Sequence, residues 1–220
     1  MARFRRARRA RLAPRRRRRN MRLRRGMIGR RIAQPVQYFK RSVYLSGNIV
    51  TSVTSDTFTN QFFALSSVPN YTEFTNLYDQ YKINAVKVTL IPRGNTAEIT
   101  ASSGASTVFQ GQSVGVFSVI DYDDTAVLAN INEACQYQNM KMTRATQQHS
   151  RFLKPRFNLL SVTNQGTGAT GASQNTRGWL DCDYINVPHY GVKWALQQNV
   201  NYNLTYDVKI DYYLAFKNVR

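Results

Sequence analysis

From Tyr202 to Phe216 every even position is apolar or aromatic: Tyr202, Leu204, Tyr206, Val208, Ile210, Tyr212, Leu214 and Phe216. The odd positions include Asn203, Thr205, Asp207, Lys209 and Asp211. Successive side chains of an extended chain point to opposite sides, so this period of two predicts a long antiparallel strand with one buried face. Ser42–Thr54 repeats the pattern more weakly, with Val43, Leu45, Ile49 and Val53 on one side. Further strands are predicted over Thr57–Ser66, Tyr81–Arg93, Ser113–Asp121, Lys141–Phe157, Arg177–Tyr184 and Tyr190–Asn199, which makes eight.

Between the strands, Gly94–Gln112 and Thr163–Gly178 are rich in Gly, Ser, Thr, Ala and Asn and read as long surface loops. Only Tyr71–Asp79 and Thr125–Ala134 have the pattern of short helices, the second with Val127, Leu128 and Ile131 on one side and Asp123 or Asp124 available as cap. Many strands with little helix in one domain mean a sandwich or barrel. An eight-stranded jelly roll of two packed antiparallel sheets suits the count and the scarcity of tight Asn-Gly or Asp-Gly hairpins. An immunoglobulin-like sandwich would bring shorter loops and a Cys, Trp, Cys arrangement, which is absent.

The charge is confined to one end. Residues 1–41 hold seventeen Arg and one Lys without a single carboxylate, whereas residues 42–220 carry the remaining thirteen basic residues and all twelve acidic ones. The body is near neutral, and the formal +19 belongs almost wholly to this arm. Arg15, Arg16, Arg17, Arg18 and Arg19 are consecutive guanidinium groups that cannot shed their charge, so the segment repels itself and is expected to be disordered until a polyanion neutralises it. Apolar residues in the arm are few and form no wide stripe, which disfavours a membrane surface. Nucleic-acid phosphate is the better match, because guanidinium forks grip its oxygens bidentately. The expected contacts are Arg3, Arg5, Arg6, Arg8, Arg9, Arg11, Arg15 to Arg19, Arg22, Arg24, Arg25, Arg30, Arg31, Lys40 and Arg41, with Tyr38 able to add stacking where the arm meets the first strand. Clusters such as Arg5, Arg6, Arg8, Arg9 and Arg15 to Arg19 also fit a nuclear localisation signal.

The arm contains no Ser before Ser42, unlike a mitochondrial transit peptide, and no apolar core of a secretory signal follows it. No run of 18 apolar residues occurs, so no membrane insertion is expected. Two Cys and two His at no ligand spacing make a zinc site an unsuitable reading; Cys182 reads as a small core group sharing a strand face with Leu180 and Tyr184, and Cys135 as part of a polar connection. Trp179 and Trp194 are expected in the core, and His149 as a hydrogen-bonded strand residue rather than a partner of Ser150. Asp121, Asp123 and Asp124 form one acidic cluster. It reads either as a strand end followed by a helix cap or as a cation site for nuclease chemistry. A cellular, chromatin-like packaging protein is a further alternative.

Three body segments then carry a resemblance. Tyr78-Asp79-Gln80-Tyr81-Lys82-Ile83-Asn84-Ala85-Val86-Lys87-Val88 looks like the "YxxYRIxxVKV" strand of circovirus capsid proteins, with Lys82 in place of Arg. His149-Ser150-Arg151-Phe152-Leu153-Lys154-Pro155 is similar to their "HSRYFTPKP" segment, with Phe152 and Leu153 as departures, and the last strand, ending Tyr213-Leu214-Ala215-Phe216, is similar to the one that runs to "YVQF". In length the chain resembles the cyclovirus branch. The resemblance implies a non-enzymatic coat subunit with no cofactor, sixty copies closing a T=1 shell around circular single-stranded DNA with the arm inside. It also implies partners in host nuclear import receptors and an unspecified cell-surface receptor, and a place in the virion and the host nucleus. With the strand count, it places Gly94–Gln112, Asn158–Gly178 and Gln197–Tyr202 together at the fivefold axis.

Overall fold

The C-terminal alternation becomes a fifteen-residue strand, Thr205–Val219, hydrogen-bonded along both edges. In the computed structural model, which describes residues 35–93, 114–124, 126–162, 171–199 and 203–220 (the backbone only at 160–162 and 171–174), it is the eleventh described strand, β11. On one side lies β1 (Gln37–Val50), with Gln37 opposite Phe216 and Val50 opposite Thr205. On the other lies β3 (Tyr78–Pro92), with Tyr206 opposite Pro92 and Val219 opposite Tyr78. The far edge of β3 pairs with β6 (His149–Leu153) and, near its start, with the two-residue β9 (Leu180–Asp181). The second sheet runs β2 (Thr57–Phe63), β10 (His189–Leu196), β4 (Gly115–Ile120), β5 (Lys141–Arg144). All these pairs are antiparallel.

The two sheets are the two halves of a jelly roll, and the core lies between them. Tyr206, Val208, Ile210, Tyr212, Leu214 and Phe216 all point inward and are buried, as the alternation requires. They join Ile83, Val86, Val88 and Leu90 of β3 against Phe63, Val116, Val192, Trp194 and Leu196 of the second sheet. Gly191 of β10 lies against Leu153 of β6: a Cβ there would sit 2.1 Å from Leu153 Cδ1, so a larger residue requires the Leu153 side chain to shift. His149 adds a polar tie across the sandwich, its ring nitrogens 2.6 Å from Ser118 Oγ and 2.7 Å from Thr143 Oγ1. Trp194 lies edge-on to the same ring at 5.4 Å.

Several boundaries differ from the sequence reading, each for a physical reason. The folded unit starts at Pro35 and β1 at Gln37, so Lys40 and Arg41 are strand residues rather than the end of the arm. Charge grouped them with the arm, but Phe39 between them and Tyr38 packs its ring 5.0 Å from Phe74 and 5.8 Å from Phe216, which extends the ladder N-terminally. Lys141–Phe157 is not one strand but β5 and β6, broken by a turn at 145–148. Of Arg177–Tyr184 only β9 is strand; Tyr184 is exposed while Cys182 is buried. The expected loop over Thr163–Gly178 instead holds β8 (Gly171–Thr176), paired with β7 (Phe157–Val162). β8 contains no large apolar residue, so no periodicity announced it and backbone pairing alone makes it a strand. Residues 163–170, and 94–113 of the other expected loop, lie outside the described residues.

The first helix, α1 (Tyr71–Leu77), forms where expected. The second is shorter, α2 (Ile131–Gln136), and carries Cys135; its cap is Asn130, whose side chain accepts from the Glu133 amide, rather than Asp123 or Asp124.

Splitting Lys141–Phe157 changes which loops share an end. Antiparallel strands reverse direction one after another, so the extra strand moves the connection that follows β6 to the opposite end. β3 ends beside the start of β11, and β10 ends beside the start of β4, so the connections following β3 and β10 leave from one end. The β5–β6 turn and residues 51–56 join them there. The connection carrying Asn158–Gly178 leaves from the other end, where Arg156 bridges Tyr190 at the start of β10. The expected grouping of three loops is therefore corrected: the described part of Asn158–Gly178 leaves from the opposite pole to the connections following β3 and β10.

Ile210→Ala is expected to destabilise the body by about 2–5 kcal/mol in urea unfolding, whereas Lys209→Ala, one residue away on the outward face, changes it by about 0.5 kcal/mol or less. Equal effects would mean that the two faces of β11 are not inequivalent.

Candidate nucleic-acid interface

Of the expected phosphate contacts, Arg3 through Arg31 lie outside the described residues, and Lys40 and Arg41 are the two whose positions are described. Neighbours on a strand face opposite ways, and β1 separates this pair. Lys40 is exposed, its ammonium 5.6 Å from the centre of the Tyr213 ring. Arg41 turns toward α1, its guanidinium 5.0 Å from the centre of the Phe74 ring. Tyr38 is on Lys40's side and 72% exposed.

Lys40 belongs to a larger row. Antiparallel register places Tyr38 beside Ala215, Lys40 beside Tyr213, and Ser42 beside Asp211, which in turn faces Lys87; Lys82 is opposite Ala215, and Lys209 and Lys217 follow at odd positions of β11. Lys40, Lys82, Lys87, Lys209 and Lys217 thus share the outward face of the first sheet. The strands bring three carboxylates to it: Asp181 of β9, opposite Gln80 and so in line with Lys217, and Asp207 and Asp211, which are both engaged. Asp207 accepts from Tyr44 Oη at 2.6 Å, the Gly47 amide at 2.6 Å and Arg93 Nε at 2.7 Å. These donors, Tyr44 foremost, hold its carboxyl down at about 2. Gly47 reaches it from a bulge in β1 where φ is +58°, a conformation that favours glycine. Asp211 accepts from Ser42 Oγ at 2.5 Å, with Lys209 Nζ 3.8 Å away. The sequence reading missed this row because a net charge near zero says nothing of where cations gather. The signal that was available is the odd-numbered Lys209 and Lys217, opposite in facing to Ile210 and Phe216.

The acidic cluster is built around a cation of the chain itself. Lys193 Nζ lies 2.8 Å from Asp121 Oδ2 and 2.7 Å from Asp124 Oδ1. Burial alone would raise the Asp121 pKa, but the hydrogen bond and charge of Lys193, with the Asp123 amide and Tyr137 hydroxyl, bring it below the ordinary value. Asp123 contributes its amide rather than its carboxylate to this arrangement. Among the described residues no group of three or more His, Cys, Asp or Glu is placed to hold a metal ion. Trp194 is buried in the core, but Trp179 is only half-buried and lies under Lys217 Nζ, 4.5 Å from the ring centre.

A model of the Circovirus capsid protein family matches residues 2–220. The chain belongs to this family. Among solved structures, the BFDV capsid protein in a 60-mer superposes with a TM-score of 0.63 at 17% identity, covering 84% of this chain and 95% of that one. The decameric BFDV capsid protein superposes with a TM-score of 0.51, also at 17% identity, covering 84% of this chain and all of that one. No curated protein matches the sequence. At such identity the likeness shows the fold, and it is the jelly roll described above. The family is one of structural capsid proteins, in agreement with the coat-protein reading of the sequence.

In this capsid protein both described histidines are buried and uncharged near neutrality. Burial pushes the His149 imidazole down to about 4, helped by the charges of Lys141 and Arg151. Burial does the same to His189, which packs 5.1 Å from the Phe157 ring and sits 3.0 Å from Val187 O. An unfolded imidazole binds a proton near 6.5, so between about pH 6.5 and about 4 the unfolded chain holds more protons and stability falls with acidification. Each histidine is expected to contribute about 1 kcal/mol per pH unit within that window. Urea unfolding of His149→Gln across it should give a shallower pH dependence than the parent; an unchanged slope would mean that His149 is not a neutral inter-sheet tie. Asp207 acts in a separate window, protecting the fold above about 4 and ceasing to do so as pH falls toward 2.

Proposed function

We propose that the chain is the coat subunit of a small T=1 icosahedral shell of sixty copies that packages circular single-stranded DNA through its arginine-rich arm. The observation that carries this reading is the partition of charge: eighteen cations and no carboxylate in residues 1–41, against a nearly neutral remainder. A self-repelling cationic segment needs a polyanion, while a near-neutral β body can tile against its own copies without long-range repulsion. The 60-mer reported for the similar BFDV capsid protein is the assembly to which the proposed stoichiometry corresponds. Sixty copies of residues 1–41 bring roughly 1,080 positive charges, of the order of the phosphates in a small single-stranded genome, so packaging needs no sequence readout. The same Arg clusters, Arg5 to Arg9 and Arg15 to Arg19, are proposed to engage nuclear import receptors and so deliver the genome to the nucleus, with attachment to host cells falling to the shell's outer surface.

Binding is expected to be sequence-tolerant and steeply salt-dependent. Were all eighteen cations engaged, log affinity would fall against log salt with a slope of about −13, which bounds the measured value. Deleting residues 1–34, which leaves β1 and Phe39 intact, should abolish most affinity for oligodeoxythymidylate in fluorescence anisotropy. Equal affinity with and without those residues would remove the arm from the role. Electron microscopy of the full chain with single-stranded DNA is expected to show closed shells roughly 20 nm across; a protein that stays monomeric at low salt contradicts the coat reading.

A further inference from the structure

At the end of the body where β11 finishes, Leu77, Tyr184 and Val219 expose 48%, 67% and 61% of their surface. They are neighbours by backbone pairing rather than by sequence. Val219 is opposite Tyr78 in the ladder of β11 with β3, and the Arg220 amide donates to Leu77 O at 3.0 Å. The turn 181–184 is closed by the Tyr184 amide on Asp181 O at 3.1 Å. It is fastened to β3 by the Cys182 amide on Asp79 O at 2.8 Å and by Tyr81 Oη, which donates to Tyr184 O at 2.9 Å. Arg220 then ties the pieces together, its Nε 2.8 Å from Asp79 Oδ1 and its Nη2 3.1 Å from Asp183 Oδ1. These ion pairs are largely in water and add little stability, but they fix where the turn and the Tyr184 ring stand. A lone exposed apolar side chain is ordinary on a protein surface. Three together, held on paired backbone and rimmed by an Arg with its carboxylates, have the make-up of an interface centre with a polar rim.

We propose that this patch, Leu77, Tyr184 and Val219 around Arg220, is where a second copy of the chain docks across a twofold axis and joins one ring of five to the next. The inference rests on the shell reading above and adds the contact that closes it. In that reading the connections following β3 and β10 gather at the fivefold axis, so a ring of five occupies their pole. The end of β11 is the other pole, since β11 starts where β3 ends. Joining two rings takes a surface away from the fivefold axis, and where they meet at a twofold axis the same patch serves both copies. A patch that meets itself needs both signs of charge, or it repels its own copy. Here Arg220 and Lys217 stand beside Asp79, Asp181 and Asp183, Lys217 being in line with Asp181 through Gln80. Three apolar side chains bury far less than a free dimer requires, so the contact is weak alone and holds when many form together in a shell.

The test uses the full chain assembled with single-stranded DNA. The parent should give closed shells, whereas Tyr184→Asp/Val219→Asp should stop at rings of five in sedimentation velocity and electron microscopy. Its urea midpoint should match the parent's, because both side chains are exposed. Val127→Asp, at a position 51% exposed on the connection that covers the second sheet, should close shells as the parent does. A second measurement disrupts nothing. With Cys135→Ser removing the other exposed thiol, Tyr184→Cys in assembled shells should be linked by a short bis-maleimide into dimers and no larger species, as one residue repeated about a twofold axis requires. Should the double variant lose stability, this cross-link decides. Shells closed by the double variant as by the parent, or a Tyr184→Cys chain that gives no dimers or a ladder up to pentamers, would overturn the proposal and leave the coat reading standing. A parent chain that formed no shells at all would overturn both.

Discussion

The two-sided pairing of β11 is the interaction on which the rest of the molecule depends. Residues 205–216 pair with β1 along one edge and residues 206–219 with β3 along the other. That leaves no edge for a foreign strand between Tyr206 and Phe216, and it commits the even residues of that span to the core and the odd ones to the opposite face. Six large inward side chains from this one strand supply about 1.5–3 kcal/mol each on burial, so a register slip would forfeit much of the body's hydrophobic stabilisation at once. The same commitment sets the outward side. Lys209, Tyr213 and Lys217 cannot face anywhere else, and through the ladder they bring Lys40, Lys82 and Lys87 beside them.

Polar ties then set the geometry that apolar packing leaves loose. His149 joins β6 to β4 and β5 through Ser118 and Thr143, crossing from one sheet to the other, and only the neutral imidazole suits its surroundings. Lys193 gathers Asp121 and Asp124 beneath the connection that covers the second sheet, where Phe117, Val119, Leu128, Ala134 and Ala195 form a smaller cluster of their own. Asp207 locks the β1 bulge to Arg93 at the end of β3. At Lys193 and Asp207 a buried or half-buried charge meets its partner within the chain, whereas His149 is held as a neutral group.

Sequence reading did best where a physical period was long and uninterrupted. β3, β4, β10 and β11 were legible because their apolar residues repeat every second position or fill both faces. It did less well where backbone pairing makes the strand, as in β8, whose side chains are small and polar, and where charge and packing disagree, as at Lys40 and Arg41, which Phe39 draws into β1. One unbroken stretch over Lys141–Phe157 hid a turn, and with it the end from which the following connection leaves. The outward lysines were visible as residues but not as neighbours, being separated by as many as 177 positions between Lys40 and Lys217.

By itself the order of residues determined that the chain has a cationic segment crowded with like charges and a β body. Both follow from local quantities, like-charge repulsion along the chain and the alternation of side chains on a strand. Tertiary structure alone decided which connections share a pole and which cations share a face. Those relations depend on register and strand order, and register is set by contacts between segments more than a hundred residues apart, such as Tyr44 with Asp207.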